Sequence, residues 1–374
     1  MQFLLDNQEY DGTFRFYYHD HIFESFDWKD PIVFTLPQLY KHRALQLRNK
    51  YKYLILTFSG GSDSTQMLMA FIKNKIHIDE IQVYHHEKSI SKLDKKMLLS
   101  DAELSQFMEY HLAVEPFLKK HADDLKNTKI NLIDSSDFVH QQYESNTFDM
   151  LGINSRGLKS SCFIVPKMVR SFQYHMLNYN EQVISKDNVG IVRGFEKPTL
   201  TMIDNRLFFQ FYDIAYQTVS NFNTKKVDNF TTIENFFWSP DAPLIPIKQS
   251  QLIKKRFESD DLFYQKFVSM KSKRVQDSFM PGSGFSDGGD LERMFCSIIY
   301  PDWNPTTFTA PKPKAINPEF KLYDTLGVKH FGRDLMKELK AYNEQKYDKI
   351  AFKNAISSFI YSRRYPVGRL LGRS

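Results

Sequence analysis

Residues 53–86 read YLILTFSGGSDSTQMLMAFIKNKIHIDEIQVYHH, and this stretch decides the fold. YLILTF (53–58) is a short continuous apolar run, the pattern of a parallel strand buried on both faces. SGGSDST (59–65) interrupts it with small and polar residues, and QMLMAFIKN (66–74) has the composition of a helix. EIQVYHH (80–86) is rich in β-favouring residues and reads as a second strand. Strand, loop, helix and strand in that order form a βαβ unit, the building block of a parallel sheet.

The same alternation continues outward. A helix is expected over roughly 100–126, with Leu104, Phe107, Met108, Leu112, Phe117 and Leu118 on its apolar face, and KINLID (129–134) gives a third strand. Residues around 160–177 read as helical, VGIVRGF (189–195) as a fourth strand, and RLFFQFYDI (206–214) as a β-ribbon. Ahead of the decisive stretch, FRFYYHD (14–20) and PIVFTL (31–36) are predicted strands, and PQLYKHRALQLRNKY (37–51) is a helix opening on Pro37. Beyond 230 the pattern changes. FFWSPDAPLIPIKQSQLIKKRF (236–257) is a proline-rich turn leading into a helix, and residues 279–303 are a glycine-rich loop leading into another. PTTFTAPKPKAINP (305–318) reads as an extended linker, and 320–362 as mostly helical. The expected organisation is a lead-in over 1–50, a doubly wound, mostly parallel α/β domain over 51–215, and a mainly helical C-terminal region with a basic tail over 216–374.

Composition narrows the class. The chain has 374 residues, 42% of them hydrophobic and 25% charged, which excludes a wholly disordered protein. No apolar run approaches the roughly 20 residues that cross a bilayer, and MQFLLDNQEYDG lacks the basic start and apolar core of a signal peptide. A cytoplasmic protein without a membrane partner is expected. Two cysteines, Cys162 and Cys296, are too few for a disulfide framework or a four-cysteine metal site. The net charge is +6, and residues 321–374 carry 12 Lys/Arg against 5 Asp/Glu, so the basic excess sits in that segment. Its end, SRRYPVGRLLGRS, offers Arg363, Arg364, Arg369 and Arg373 as candidate contacts to nucleic acid or to a polyphosphate; a solvated surface is the alternative.

The chemistry lies in Ser59-Gly60-Gly61-Ser62-Asp63-Ser64-Thr65. Glycines there let backbone approach a ligand closely. Successive amides at a helix N-terminus form an anion cradle favoured by the helix dipole, and the hydroxyls of Ser59, Ser62, Ser64 and Thr65 add donors. Asp63 would repel a bare phosphate, so it suits either a divalent cation or a helix cap. Together these residues read as a site for a polyphosphate with Mg²⁺. The loop is not a Walker A motif, since G-x-x-x-x-G-K-[ST] is absent from the chain.

SGGSDS in this setting resembles the signature of the PP-loop ATP pyrophosphatases, the superfamily that includes asparagine, NAD and GMP synthetases, lysidine synthetases and sulfate-nucleotide reductases. The resemblance is specific over 53–86 and extends to about residue 200, nearest to an asparagine synthetase-like or virus-encoded branch. It implies ATP and Mg²⁺ as cofactors, a HUP-type sheet, and α-β cleavage of ATP. A substrate oxygen attacks the α-phosphorus, pyrophosphate leaves, and a nitrogen or sulfur nucleophile displaces AMP. Carried over, residues 59–64 would hold the pyrophosphate, Asp63 its Mg²⁺, and Tyr84 and His85, at the end of the second strand, would meet the adenine.

Other candidates stand beside the loop. GIVRGFEKP (190–198) offers Arg193 and Lys197 to neutralise phosphate charge in the transition state, with Glu196 as a candidate metal or amine contact. Cys162 precedes a predicted helix that carries Lys167 and Arg170; it is either a reactive thiol or a buried one. Gly282, Gly284, Gly288 and Gly289 mark a candidate lid or a plain exposed loop. His85 and His86 point to opposite sides of a strand, which argues against a zinc pair. With no glutaminase-type N-terminal cysteine and no cysteine after Cys296, an ATP-dependent ligase that adenylates a carbonyl or carboxylate and forms a C–N bond is the leading expectation. The acceptor is a small molecule or a nucleic-acid base, as in lysidine synthetases. A non-catalytic ATP-binding sensor or scaffold is the remaining alternative.

Overall fold

A computed structural model of the chain describes residues 2–5, 8–11, 19–85, 110–134, 188–194, 199–214, 231–272, 278–279, 295–303, 359–361 and 363–372. In chain order it opens with strands β1 (Gln2–Leu5) and β2 (Gln8–Asp11), then helices α1 (Asp20–Phe23) and α2 (Leu36–Lys50). The decisive stretch follows as β3 (Tyr53–Thr57), α3 (Ser62–Ile72) and β4 (Glu80–His85). A π-helical turn at Tyr110–Val114 runs into α4 (Glu115–Lys120), and β5 (Lys129–Asp134) comes next. Strands β6 (Val189–Arg193), β7 (Thr199–Ile203), β8 (Arg206–Gln210), β9 (Tyr212–Ile214) and β10 (Thr231–Asn235) lead to helices α5 (Leu244–Ser259) and α6 (Asp261–Ser272). β11 (Ser278–Phe279), a helical turn α7 (295–299), β12 (Phe359–Tyr361) and β13 (Tyr365–Arg369) complete the described chain.

Five strands form a wholly parallel sheet in the order β10-β6-β3-β4-β5. Numbered among themselves along the chain, these strands run 5-4-1-2-3, so the order reverses beside β3. From β3 the chain fills one side of the sheet through β4 and β5, then returns to fill the other through β6 and β10. A crevice opens beyond the carboxyl ends of the strands at such a reversal. One face of the sheet contributes Leu54, Leu56, Ile81, Val83 and Val192 to the main core, where they meet α2, α3 and α5. The other face carries a small cluster of Ile55, Val189 and Ile191 with Tyr53 beside it.

A second sheet, β11-β7-β8-β13, is antiparallel. Its Leu200, Leu207, Phe209, Tyr365 and Val367 join the same main core. Trp28 stacks on Tyr365 with ring centroids 4.8 Å apart, so the chain before α2 and the C-terminal strand are packed together.

Two expectations are corrected. PIVFTL (31–36) is irregular up to Thr35: Ile32 packs against the core, but Val33 is 85% and Phe34 50% exposed, so the segment does not bury the alternating face of a strand. Thr35 instead caps α2 in a capping box with Gln38, whose side chain accepts from the Thr35 amide at 2.8 Å. The boundary expected at residue 215 does not divide the sheets: β10 is the fifth strand of the parallel sheet, and β13 pairs with β8 across it. Among the described residues of 216–374, helices α5, α6 and α7 stand beside strands β10, β11, β12 and β13. The expected elements at 14–18, 100–109, 160–177 and 305–358 lie outside the described residues.

Candidate functional site

The Ser59–Thr65 loop leaves the carboxyl end of β3 and enters α3, at the point where the strand order reverses. Gly60 has φ +77, a left-handed conformation that disfavours any side chain. A Cβ there would lie 2.6 Å from Cβ of Ala113, in the π-helical turn that covers the loop. Gly61 is the N-cap of α3 in extended conformation, and α3 has no side-chain cap. Its first turn therefore carries no side-chain cap, a condition that an anion cradle meets.

Three of the four loop hydroxyls make contacts within the loop. The single proton of Ser64 Oγ goes to the Gly61 carbonyl at 3.2 Å, so Ser59 Oγ is the donor in its 3.2 Å contact with Ser64 Oγ. Ser59 Oγ in turn accepts from the Gly61 amide at 3.4 Å, and Thr65 Oγ1 donates to the Gly60 carbonyl at 3.3 Å. Ser59, Ser64 and Thr65 thus brace the loop through contacts within it. Ser62 is buried at the start of the helix.

Asp63 sits in the first turn of α3. The Tyr300 hydroxyl, 237 positions away in sequence, donates to Asp63 Oδ1. Burial, then the charge of Asp63, pushes the Tyr300 phenol well above its usual range, so it stays a protonated donor. The segment carrying Tyr300 is fastened to the same helix. Gln66 Nε2 donates to Asp302 Oδ2 at 3.0 Å, the Asp302 amide donates to Gln66 Oε1 at 3.0 Å, and Lys73 forms an ion pair with Asp302.

The walls come from the neighbouring strands. Gly194, just past β6, lies so close to α3 that a Cβ would be 2.8 Å from the Ser64 amide nitrogen. This brings Arg193, half-buried at the end of β6, to the same edge of the sheet as the loop. On the other side His85 ends β4, with its ring centroid 5.5 Å from that of Tyr110 in the π-helical turn. Tyr84 holds the register position opposite Ile133 at the same end.

Arg363, Arg364 and Arg369 are placed on the antiparallel sheet and its approach, with Arg363 paired to Glu24 at 2.8 Å. Lys197, Glu196, Cys162, Lys167, Arg170, Arg373 and the 280–294 glycine-rich loop lie outside the described residues. Sequence reasoning did not reach Tyr300, Gln66 or Asp302; no local pattern marks them, because their partners are distant in the chain.

Among the described residues no group of three or more His, Cys, Asp or Glu could hold a metal ion. A Mg²⁺ here would therefore rest on one carboxylate and on ligand oxygens, the usual arrangement of Mg²⁺ with a nucleotide, and Asp63 fits that part. Comparison with protein-family models, with curated proteins and with solved structures returned no match.

Proposed function

We propose that this chain is an ATP pyrophosphatase that adenylates a carbonyl or carboxylate oxygen and then forms a C–N bond. One observation carries the reading: SGGSDST, with an uncapped helix behind it, stands at the carboxyl end of the first parallel strand where the strand order reverses. Open α/β sheets bind phosphate ligands at that place. The PP-loop resemblance of the same residues supports a triphosphate over a single phosphate, and it implies a doubly wound, HUP-type sheet.

In this reading the loop amides and the α3 dipole hold the β- and γ-phosphates, and Gly60 and Gly61 keep side chains out of their way. Arg193, and Lys197 beyond it, neutralise the charge that builds on the α-phosphoryl group and on the leaving pyrophosphate. Mg²⁺ held by Asp63 and phosphate oxygens would supply charge neutralisation on the leaving group. The substrate oxygen attacks the α-phosphorus, the α-β bridge breaks, and pyrophosphate departs. A nitrogen nucleophile then attacks the activated carbon and AMP leaves. His85 and Tyr84 stand where the fold would place the adenine.

One observation favours a nucleic-acid base as acceptor. Arg369 and Arg206 face each other directly across β13 and β8, both exposed. Like charges in that register repel unless an anion lies over them, and a phosphate backbone would do so.

The test is the product pattern from α-³²P-labelled ATP with Mg²⁺ and a cell extract as substrate source, beside an Asp63→Ala control. Labelled AMP or an AMP adduct, lost in the control, is the expected result. ATP bound without AMP in any extract would make the chain a nucleotide sensor or scaffold instead.

A further inference from the structure

We infer that Tyr300 is a positioning residue of the loop site: its hydroxyl fixes the Asp63 carboxylate in the orientation that receives a divalent cation with the nucleotide. The inference rests on the ATP reading and adds to it a second part of the chain, 295–303, without which the site is incomplete.

The argument is geometric. An aspartate in the first turn of an uncapped helix has free rotation about χ1 and χ2 unless something holds it, and a cation site needs its ligand held beforehand. Tyr300 does this from a rigid base. It is only 2% exposed, its ring centroid is 5.2 Å from that of Phe237, and its amide donates to the Cys296 carbonyl at 2.9 Å. The preceding carbonyl, of Ile299, accepts from Tyr40 Oη at 2.7 Å, and Gln249 Nε2 donates to Tyr40 Oη at 2.9 Å. Hydrogen bonds thus run from α5 through α2 to the peptide link at Tyr300. On the other side Asp302 grips Gln66 of α3 and Lys73, its C-cap. Tyr300 is therefore held at both ends, and its hydroxyl meets one carboxylate oxygen, Oδ1. A core tyrosine needs a partner for its hydroxyl, but it does not need the one carboxylate of a phosphate-type loop. That choice of partner, across 237 positions of sequence, assigns the role.

The experiment uses the full chain, a non-hydrolysable ATP analogue, and Mn²⁺ in place of Mg²⁺, with free Mn²⁺ read by electron paramagnetic resonance. Nucleotide affinity is measured again in EDTA. Tyr300→Phe removes one oxygen, and Tyr365→Phe removes a hydroxyl that bonds Asp20, outside this network. Tyr300→Phe is expected to weaken Mn²⁺ binding in the ternary complex roughly tenfold, the low end of what a lost outer partner costs a metal ligand. Nucleotide affinity in EDTA should stay unchanged. In an Asp63→Asn background the same change should cost nothing further, and Tyr365→Phe should bind Mn²⁺ like the wild type. Should Tyr300→Phe fail to fold, Asp302→Ala loosens the same segment and is expected to give a smaller loss confined to the metal. The inference is overturned if Tyr300→Phe binds Mn²⁺ normally, if it also lowers nucleotide affinity in EDTA, if the loss persists with Asp63→Asn, or if Tyr365→Phe reproduces it. A wild-type chain that binds no nucleotide overturns the ATP reading itself, and that result is seen before any variant is compared.

Discussion

Gly194 and Ser64 are in backbone contact: a Cβ on Gly194 would lie 2.8 Å from both the amide nitrogen and the Cα of Ser64, and 2.9 Å from the carbonyl carbon of Asp63. The end of β6 therefore braces the first turn of α3, the turn that faces the proposed phosphates. The neighbouring atoms are backbone and cannot swing aside. Gly194→Ala is expected to destabilise by about 1–3 kcal/mol, as overpacking does, and to weaken ATP binding because relief of the clash moves the cradle. A urea titration with a parallel ATP titration checks both. An unchanged midpoint together with unchanged affinity would show that strand and helix are not in contact.

The two loop glycines are expected to behave differently. Gly60 has φ +77 and faces Ala113, so Gly60→Ala combines a left-handed backbone, costing about 1–2 kcal/mol, with a 2.6 Å clash. Gly61 has φ −70, and a Cβ there meets only Ser59 Oγ at 3.5 Å. Gly61→Ala should leave thermal stability unchanged or raise it by about 0.4–1 kcal/mol through the unfolded chain. Its methyl group nonetheless stands at the mouth of the cradle, so ATP affinity should fall. A Gly61→Ala protein that melts and binds ATP like the wild type would remove the loop from the binding site.

The parallel core of the fold was legible because its residues report on themselves. YLILTF, EIQVYHH, KINLID and VGIVRGF are short apolar or β-branched runs, and each contains a strand of the sheet. The loop was legible for a similar reason, since strand, small residues and helix adjoin in sequence. What escaped has a common physical cause. TTIEN (231–235) has one large apolar residue, and it is a strand only because β6 pairs with it. PIVFTL has β-favouring residues, but Val33 and Phe34 are exposed and the Thr35–Gln38 cap takes its end for α2. The Tyr300–Asp63 contact and the β13–β8 pairing join residues more than a hundred positions apart, and no local pattern marks such partners.

A buried charge cluster beside the sheet sets an acid limit on stability. Glu234 of β10 accepts from Arg43 Nη2 at 2.9 Å, Lys50 Nζ at 2.7 Å and Tyr51 Oη at 2.6 Å. Burial alone would raise its carboxyl, but Arg43, Lys50 and Tyr51 outweigh it and hold the group below its ordinary 4.5. A carboxyl lowered in the folded state stabilises at pH above its unfolded value, and that contribution disappears as pH falls through the folded one. The stability difference between wild type and Glu234→Gln should therefore be flat from neutral pH down to about 5, then shrink below it. Arg43→Ala removes one of two cations from the carboxylate and leaves it Lys50 and Tyr51, so at neutral pH it should cost less than the about 3–5 kcal/mol of a buried charge left without a partner. A difference that grows on acidification would contradict the assignment.

The C-terminal strand and the residues leading into it separate structural from electrostatic work. Tyr365 is buried, stacks on Trp28 at 4.8 Å with planes 7° apart, and bonds Asp20 through its hydroxyl. Arg363 is 70% exposed and touches Glu24. Truncating a buried aromatic typically costs about 3–5 kcal/mol, so Tyr365→Ala should lower the melting temperature by many degrees. It should also shift tryptophan emission to the red as Trp28 meets water. Arg363→Ala should leave both unchanged, since exposed pairs contribute little. If the tail also meets nucleic acid, Arg364→Ala with Arg369→Ala should flatten the salt dependence of RNA binding while melting stays constant. A melting loss from the arginine changes equal to that from Tyr365→Ala would mean that the charges, not the aromatic stack, hold the strand in place.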